Sequence, residues 1–353
     1  MKTLIVDDSI VFRSAITQAL ETVDDIDILK AVSNGALAMD YLNRNPEVDL
    51  ITLDMEMPVM DGMETIKAIR KINTNVSIIV FSSFTKRGAE KTIEALNVGA
   101  DDFVEKVEGT GSIDGSVKMI REELLPRIQA LKTRKFPREQ IKRVNDKKES
   151  NNSKNIETIV RDMKFKPKLI CIGCSTGGPE ALTKIFKNIT EEISVPMLVV
   201  QHMPPMFTQK LAEMLNNLSP VEVREAKDGD SVKPGLCLIA PGDYHMELTA
   251  DMKISLNQNE KECFVRPAVN VLFNSVSNYY ASQVLSIVLT GMGDDGAKGC
   301  VSLDKKGAYQ FVQDEESCIV WGMPGAVVRT GISPTILKLD QFSSLINLVS
   351  KRI

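Results

Sequence analysis

The sequence predicts an α/β protein with two domains, each built on a doubly wound parallel β-sheet. The chain has 353 residues, which is enough for two separate hydrophobic cores. In both halves, short apolar runs alternate with amphipathic segments of helical period, a pattern typical of parallel sheets covered by helices. A stretch from Lys132 to Lys154 is rich in Lys, Arg, Asn and Ser and poor in spaced apolar residues, which indicates a linker between the two domains.

The composition is that of an ordinary globular protein, with 43% hydrophobic residues, 25% charged residues and a formal net charge of −4. This mild acidity does not favour nucleic acid as a partner, because a phosphate backbone requires a concentrated basic face. The chain has no run of 18 apolar residues, and Thr3–Val6 is predicted to be a strand, not part of a signal peptide. We therefore expect a cytoplasmic protein without direct membrane insertion.

The six cysteines do not indicate disulfide or metal chemistry. Most of them lie within apolar stretches, so we expect reduced packing residues. Cys171 and Cys174 form a CxxC pair, but no second such pair and no pair of histidines completes a tetrahedral zinc site. We expect no cofactor in the second half of the chain.

Side chains that can bind a metal or a phosphoryl group stand at the predicted strand ends of the first half. Strands are predicted near residues 3–6, 26–32, 50–54, 77–81 and 102–105. Their ends carry Asp7, Asp8, Asp54, Ser82 and Lys106. Since parallel strands share one carboxyl edge, these groups should converge in one crevice. Clustered carboxylates require a cation, and Mg²⁺ suits this oxygen-rich set, so phosphoryl transfer to Asp54 is the predicted chemistry.

At these residues the first half resembles a response-regulator receiver domain, over residues 1–122. The matching motifs are VDDS at Val6–Ser9, LDMEMPVMDG at Leu53–Gly62, FSSF around Ser82 and DFVEK ending at Lys106. The resemblance implies a flavodoxin-like fold and a sensor histidine kinase as phosphodonor.

The resemblance also implies a role for each residue of the crevice. Asp54 is the phosphoacceptor, and Mg²⁺ is held by Asp8, Asp54 and the backbone carbonyl of Glu56. Asp7 supports the metal site, Ser82 contacts the phosphoryl group and Lys106 forms an ion pair.

Two further positions of this half are compared with the family pattern. Phe103 occupies the place of the family's switch aromatic residue. The family usually has Pro after the lysine, often with a cis bond, whereas this chain has Val107. A cis bond before a residue other than Pro costs about 3 kcal/mol. We expect either a trans bond with a shifted loop or slower switching, with phosphoacceptance retained.

In the second half, a Gly-rich turn places Ser175 between a strand and a helix. Lys168–Ile172 is predicted to be a buried strand, and Leu182, Ile185, Phe186 and Ile189 share one face of the segment that begins at Pro179. Such a turn surrounds a hydroxyl with backbone N–H groups at the positive end of a helix dipole. Taken alone, the motif fits a nucleophile, a phosphate cradle or a plain tight turn.

The chain has two histidines, so a base for Ser175 must be His202 or His245. His202 follows the predicted strand Pro196–Val200 and should emerge at the same sheet edge as Ser175. A third buried strand, Val284–Thr290, leads to Asp294 and Asp295, where a carboxylate could orient the imidazole. His245 lies in an Ala-Pro-Gly-Asp-Tyr context and is predicted to be a loop or substrate-side residue. Ser, His and Asp at three strand ends favour a serine hydrolase.

These segments resemble the catalytic domain of the chemotaxis protein-glutamate methylesterases, over about residues 167–350. Six motifs carry the resemblance: IGCSTGGPEAL at Ile172–Leu182, VVQHMPPMFT at Val199–Thr208, LIAPGDYH at Leu238–His245, RPAVNVLF at Arg266–Phe273, LTGMGDDG at Leu289–Gly296 and VWGMPGA at Val320–Ala326.

The resemblance implies a Rossmann-like domain in which Ser175 is the nucleophile, His202 the general acid and base, and Asp295 the orienting carboxylate. Thr176 and Met292 occupy positions whose backbone N–H groups could serve the oxyanion. Ala268 and Asn270 stand where Ser and Asp are common in the family motif.

The combined expectation is a receiver domain at residues 1–122, a helical extension and flexible linker at 123–165, and a catalytic domain at 166–353. The implied activity is hydrolysis of glutamyl methyl esters on chemoreceptors, with methanol released, together with deamidation of selected glutamines for chemotactic adaptation. Two other classes stay open: a receiver fused to a nucleotide-binding oxidoreductase, and a non-catalytic receptor adaptor. The absence of GxGxxG and of an acidic ribose partner counts against the first.

Overall fold

The computed structural model describes residues 1–106, 113–132 and 156–351. The chain forms two compact units, one before and one after residues 133–155 in the sequence. The expectations for Val107 and for most of the linker fall outside the described residues. No helix in the described part of the chain has the length and apolar character to cross a membrane.

The first unit is a five-stranded parallel sheet with helices between successive strands. Its strands are β1 (Lys2–Val6), β2 (Asp27–Val32), β3 (Leu50–Asp54), β4 (Ser77–Ser83) and β5 (Asp102–Lys106). Its helices are α1 (Ile10–Glu21), α2 (Gly35–Leu42), α3 (Gly62–Ile72), α4 (Lys86–Val98) and α5 (Ile113–Lys132). The strand order is β2-β1-β3-β4-β5, so the chain reverses direction across the sheet between β1 and β3.

Local caps fix where the helices of this unit begin, and therefore where the strand ends lie. The Ser9 side chain accepts a hydrogen bond from the Phe12 N–H at the start of α1. Asp61 and Glu64 form a capping box at the start of α3. These caps end the loops that follow β1 and β3, so Asp7, Asp8 and Asp54 are held at the same edge.

The second unit is a seven-stranded parallel sheet with an antiparallel hairpin beside it in the chain. Its sheet strands are β6 (Leu169–Cys174), β7 (Met197–Gln201), β8 (Glu222–Glu225), β9 (Leu236–Ile239), β12 (Val284–Val288), β13 (Tyr309–Gln313) and β14 (Thr335–Leu337). The hairpin consists of β10 (His245–Leu248) and β11 (Ile254–Asn257). Its helices are α6 (156–161), α7 (Gly178–Lys187), α8 (Phe207–Asn216), α9 (Val269–Tyr279), α10 (Ala297–Asp304), α11 (Met323–Arg329) and α12 (Gln341–Lys351), with a 3₁₀ turn at Ala281–Gln283.

The strand order β14-β13-β12-β6-β7-β9-β8 puts β6 in the middle of the second sheet. From β6 the chain proceeds outward through β7, and later returns to the other side of β6 through β12. The carboxyl ends of β6 and β12 therefore flank a switch point, the usual place for a ligand crevice in such sheets. The predicted class, α/β with two doubly wound parallel sheets, is confirmed.

Burial in the second sheet follows the expectation for a sheet covered on both faces. Every residue of β6, β7 and β12 is buried. Leu182, Ile185 and Phe186 of α7 and the following Ile189 are each at most 1% exposed, as the helical spacing predicts. Polar residues that follow these strands are thus anchored to the buried sheet.

Candidate functional site

Ser175 and His202 leave adjacent parallel strands at the same height. Cys174, the last residue of β6, is the register partner of Gln201, the last residue of β7. The backbone N–H of His202 donates to the Cys174 carbonyl at 3.2 Å. Ser175 directly follows β6 and His202 directly follows β7, so the two residues are neighbours at one edge of the sheet.

His202 is paired with one carboxylate of the Asp294–Asp295 dipeptide. Its Nε2 atom lies 2.8 Å from Asp295 Oδ2, and the exposed fractions of the two side chains are 10% and 2%. Asp294, in contrast, is exposed. The structure therefore brings His202 together with Asp295, and leaves Nδ1 as the ring nitrogen that is not used by this carboxylate.

The Asp295 carboxylate also caps helix α9. Its Oδ2 accepts a hydrogen bond from the Val269 N–H at 2.6 Å, and its Oδ1 accepts one from the Asn270 N–H at 2.8 Å. These are the first two N–H groups of α9, whose own N-cap residue, Ala268, has no side-chain cap. The two backbone donors at the positive end of a helix dipole, together with the His202 ring, thus fix the position of this buried carboxylate.

Asn270 caps the neighbouring helix α10 in return. Its Oδ1 atom accepts hydrogen bonds from the N–H groups of Gly296 and Gly299, at 3.0 and 2.9 Å. Because Gly296 follows Asp295 directly, this cap fixes the backbone that carries the carboxylate. Asn270 is 1% exposed, so its side chain belongs to the support of Asp295 and not to the substrate surface.

Gln201 holds the two chain segments that bear Ser175 and His202. Its Nε2 atom donates to the Ser175 carbonyl at 3.0 Å and to the His202 carbonyl at 3.2 Å. Sequence reasoning overlooked Gln201, and it noted Asn270 only as a departure from the family motif, not as the cap of α10. A usable signal existed for the capping role of Asn270, since the N-cap residues of α9 and α10, Ala268 and Gly296, have no capping side chain, so both helices require caps from elsewhere.

Gly291 brings a second loop against Ser175. A Cβ atom at Gly291 would lie 2.9 Å from the Ser175 Cβ and 3.0 Å from its backbone N, so this approach requires glycine. The Ser175 N–H donates to the Thr290 carbonyl at 3.0 Å. Met292, which follows Gly291, and Thr176, which follows Ser175, therefore belong to two segments that meet at the Ser175 turn.

Ser175 is half-buried, and in the described part of the chain no hydrogen bond joins its hydroxyl to the His202 ring. Catalytic hydrogen bonds are often long in structures without substrate, so this does not oppose a nucleophile and base pair. The geometry brings Ser175, His202 and Asp295 to one edge, with the imidazole and carboxylate already bonded.

The side chains of His245 and of the two CxxC cysteines have other surroundings. His245 begins β10 and is 1% exposed, and its Nε2 atom lies 2.9 Å from the Glu260 carbonyl oxygen. The expectation of a loop or substrate-side residue was wrong, because the hairpin buries the ring. Cys171 and Cys174 are free and buried within β6, and burial raises the pKa of each thiol, as packing residues require.

In the first unit, Asp7, Asp54 and Lys106 form one ion-paired group at the carboxyl edge. Lys106 Nζ lies 2.7 Å from Asp54 Oδ2 and 2.9 Å from Asp7 Oδ2. The other oxygens accept backbone hydrogen bonds, Asp54 Oδ1 from the Glu56 N–H and Asp7 Oδ1 from the Ser9 N–H. Both carboxyl groups are almost fully buried, at 3% and 1% exposure.

Burial raises the pKa of Asp54 and of Asp7, and the charge of Asp54 raises that of Asp7 further. Burial lowers the pKa of Lys106, but the hydrogen bond and charge of Asp54, with those of Asp7, outweigh burial and raise it overall. One ammonium group therefore does not offset the desolvation of two buried carboxylates.

The remaining predicted residues of this site surround the same cleft. Asp8, Ser82 and Glu56 line it together with Lys106 and Lys91. Ser82 is buried and its hydroxyl donates to the Gly88 carbonyl at 3.1 Å. The Glu56 side chain pairs with Lys91 at 2.9 Å, which lowers the pKa of Glu56. Phe103, the switch-aromatic position, is buried.

The donor set fits a hard divalent cation. Ligand oxygens of Asp7, Asp8 and Asp54 all lie within 4.8 Å of one another. Carboxylate oxygens are ligands that a hard cation prefers. Burial raises the pKa values of Asp7 and Asp54, so a cation that enters the cleft would stabilise their charged forms.

Comparison with known proteins gives two family matches. Residues 170–346 match the CheB methylesterase family, and residues 3–118 match the response regulator receiver domain. A solved CheB methylesterase catalytic domain from Thermotoga maritima is 39% identical, with a TM-score of 0.49, and the match covers 52% of this chain and 98% of that one.

Relatives match over the full length. A protein-glutamate methylesterase/protein-glutamine glutaminase from Trichodesmium erythraeum is 40% identical over 346 residues, which are 97% of each chain. A protein of the same name from Clostridium acetobutylicum is 37% identical over 96% of this chain and 95% of its own. From these matches, the chain belongs to the CheB methylesterase family and carries a response regulator receiver domain at its N-terminus.

Proposed function

We propose that this protein hydrolyses glutamyl methyl esters on chemoreceptors and releases methanol, under control of phosphorylation at Asp54. The observation that carries the proposal is the bonded His202–Asp295 pair beside Ser175, 2.8 Å between Nε2 and Oδ2, at the switch point of the second sheet. A plain tight turn or a phosphate cradle after β6 requires no imidazole and carboxylate at its edge.

In the proposed reaction, Ser175 Oγ attacks the ester carbonyl carbon. In this mechanism the Asp295 carboxylate accepts a hydrogen bond from Nε2–H, which leaves Nδ1 as the nitrogen that takes the proton from the Ser175 hydroxyl. The imidazolium then returns this proton to the methoxide leaving group, and methanol departs. Water attacks the resulting acyl-serine by the same steps, releasing glutamate and restoring Ser175.

Asp295 orients the imidazole throughout these steps. Its oxygens already accept hydrogen bonds from the N–H groups of Val269 and Asn270, which hold the carboxylate in place. The ionised carboxylate fixes the imidazole tautomer and stabilises the imidazolium. Asn270 acts indirectly, because its cap on α10 holds the backbone that directly follows Asp295.

Backbone donors beside Ser175 complete the site. We propose the N–H groups of Thr176 and Met292 as the oxyanion donors, because their two loops meet at Ser175 through Gly291. Each such donor is typically worth about 3 kcal/mol of barrier. An amide carbonyl can occupy the same place as an ester carbonyl, so deamidation of selected glutamines, with ammonia as the leaving group, is the proposed secondary activity.

For the receiver site, we propose that Asp8, Asp54 and the Glu56 carbonyl hold Mg²⁺, supported by Asp7. When bound, the cation stabilises negative charge on the transferring phosphoryl group. The chain's own residues position this group: Asp54 accepts it, Lys106 neutralises it, and Ser82 contacts its oxygens. The proposed phosphodonor is a sensor histidine kinase.

The proposed division of the chain is a receiver domain at residues 1–122, a helical extension and linker at 123–165, and a catalytic domain at 166–353. The family matches, 3–118 and 170–346, lie within these limits, and α5 continues past residue 122 to Lys132. The receptor substrate makes the cytoplasm the proposed location, and no nucleic acid partner is proposed.

Methanol release from a methylated receptor preparation tests the proposal. We expect wild-type turnover to rise with acetyl phosphate and Mg²⁺, and Ser175→Ala to lose it at least about 10⁴-fold. Ser302→Ala is the matched control, since that hydroxyl donates to a carbonyl of its own helix, that of Lys298 in α10. Full turnover by Ser175→Ala would remove the nucleophile from the proposal.

A further inference from the structure

Residues Glu262–Val265 form a tight turn with unusual residues at its centre. Val265 donates its N–H to the Glu262 carbonyl at 3.0 Å, and the two residues form an antiparallel bridge. The central residues, Cys263 and Phe264, have φ angles of 52° and 65°. Positive φ at both central positions is typical of a type I′ turn, where Gly and Asn are favoured because larger L residues are strained.

The Phe264 side chain projects from this turn into solvent. Its exposed fraction is 94%, the largest among the exposed large hydrophobic residues of the described chain. Single exposed apolar residues are common, but this one occupies a strained position without gaining burial. Neither the packing nor the backbone of the free protein explains an aromatic residue here.

The turn is bonded to the residues that support the candidate active site. Asn270 Nδ2 lies 3.3 Å from Glu262 Oε1 and 3.6 Å from Cys263 Sγ. The backbone N–H of the same Asn270 donates to Asp295, which bonds His202. Phe264 is therefore held at a fixed place relative to the His202–Asp295 pair.

Two other exposed apolar side chains belong to segments whose neighbouring residues contact the Phe264 turn or Ser175. Tyr244, 40% exposed, follows Asp243, whose carboxylate pairs with Arg266 at 2.6 Å just after the Phe264 turn. Met292, 36% exposed, follows Gly291, which packs against Ser175. We define Phe264, Tyr244 and Met292 as the apolar rim of the site.

We propose that Phe264 is a substrate-positioning residue that contacts an apolar patch of the receptor beside the esterified glutamate, with Tyr244 and Met292 completing the rim. The inference rests on the proposed function and specifies how a protein substrate is chosen. A glutamyl methyl ester is small and uncharged, so it offers few contacts of its own. Contacts away from the reacting carbon must supply the binding that separates a receptor from any other ester.

Steady-state kinetics on two substrates test this inference, using the full-length protein activated with beryllofluoride and Mg²⁺. For Phe264→Ala and Phe264→Gly, we expect KM for the methylated receptor to rise about tenfold, which corresponds to about 1.4 kcal/mol, with kcat unchanged. Turnover of p-nitrophenyl acetate should stay at the wild-type value. Phe264→Tyr should retain the wild-type KM, and Ile336→Ala, at a 50% exposed residue of β14, is the matched control.

Thermal unfolding separates binding from a structural role. Gly adopts positive φ without strain, so Phe264→Gly should unfold at a higher temperature than wild type while its KM is still raised. An unchanged receptor KM in both variants would overturn the inference. A rise in the turnover of the unphosphorylated variants would also overturn it, because Phe264 would then be a contact of the receiver domain. A changed oligomeric state in sedimentation would overturn it as well, because Phe264 would then be a contact of a second copy of the protein. Absence of receptor turnover in the wild type would instead refute the proposed function.

Discussion

The two sites of this chain lie at equivalent edges of parallel sheets but treat their buried carboxylates in opposite ways. In the first unit, Asp7 and Asp54 share one cation, Lys106, and burial raises the pKa of both carboxyl groups. In the second unit, Asp295 has two backbone donors and an imidazole. The two carboxylates of the first site are not fully offset by positive charge, whereas the carboxylate of the second site has hydrogen-bond partners supplied by the fold itself.

This difference matches the two kinds of chemistry proposed. A site with excess negative charge binds a divalent cation and then a phosphoryl group, and the protein around it responds to that change in charge. A hydrolytic site gains from groups that are already oriented, because preorganised charges stabilise the transition state without rearrangement. Substitutions at either site test this difference, and the variants below follow in order of decreasing expected effect.

The largest effect is expected from Asp295→Asn. The amide cannot stabilise an imidazolium, and it presents a donor to His202 Nε2, which favours the wrong tautomer. We expect kcat on methylated receptor to fall about 10³ to 10⁴-fold, while phosphorylation of Asp54 is unchanged. Asp294→Asn, at the exposed neighbour, is the control and should keep wild-type kcat; equal losses in both variants would show that the carboxylate pair has no specific geometry.

Asp54→Asn should remove regulation but not chemistry. Without the phosphoacceptor, acetyl phosphate and Mg²⁺ should no longer raise methanol release, whereas basal turnover should persist. Typical coupling between two sites corresponds to a change of about 5- to 150-fold, and this whole factor should disappear. Asp40→Asn, an exposed residue of α2, is the matched control. Stimulation retained in Asp54→Asn would place the phosphoacceptor elsewhere.

A smaller effect is expected from Asn270→Ala, which removes the cap of α10 and so loosens the Asp295 loop. We expect kcat to fall about tenfold, with a change in the pH dependence of kcat because His202 is less well supported. Asn274→Ala, on the exposed face of the same helix, should leave both unchanged. A loss of stability with an unaltered pH profile would restrict Asn270 to a structural role.

The smallest effect concerns stability at the receiver site without metal. Since the folded-state pKa values of Asp54 and Asp7 lie above the ordinary value of 3.8, both groups bind protons more tightly in the folded state. Their contribution to stability is therefore present below about pH 4 and is lost as pH rises through the raised values. In EDTA at pH 7, Asp54→Asn should unfold a few degrees above wild type, and this advantage should shrink as pH falls.

Magnesium supplies the complementary measurement. Adding it at pH 7 should raise the unfolding temperature of wild type more than that of Asp54→Asn, because the cation offsets the charge that the substitution removes. An identical response to Mg²⁺ in both proteins would contradict a cation site at Asp54.

Much of the arrangement was predictable because parallel strands place their ends together. Knowing that Asp54, Lys106, Ser175 and His202 each follow an apolar run was sufficient to group them at two edges. The order of the strands, in contrast, depends on long-range pairing, and the sequence pattern alone did not distinguish β6 as the central strand of the second sheet.

The supporting residues were harder to foresee. Gln201 belongs to a buried strand end, and its bonds to the Ser175 and His202 carbonyls depend on tertiary geometry. His245 was misassigned because its Pro-Gly-Asp context indicates a loop, whereas the hairpin that begins at this residue buries the ring. The use of His202 Nε2 by Asp295 follows from ring orientation, which no sequence pattern specifies.

The most direct measurement is covalent trapping of the nucleophile. Full-length protein is treated with a fluorophosphonate, and the modified peptide is identified by mass spectrometry. We expect one adduct, on the peptide that contains Ser175, formed by wild type and strongly slowed in His202→Gln. A protein that stays unmodified, or an adduct on another serine with receptor ester turnover lost in parallel, would contradict the assignment of Ser175 and His202 as nucleophile and base.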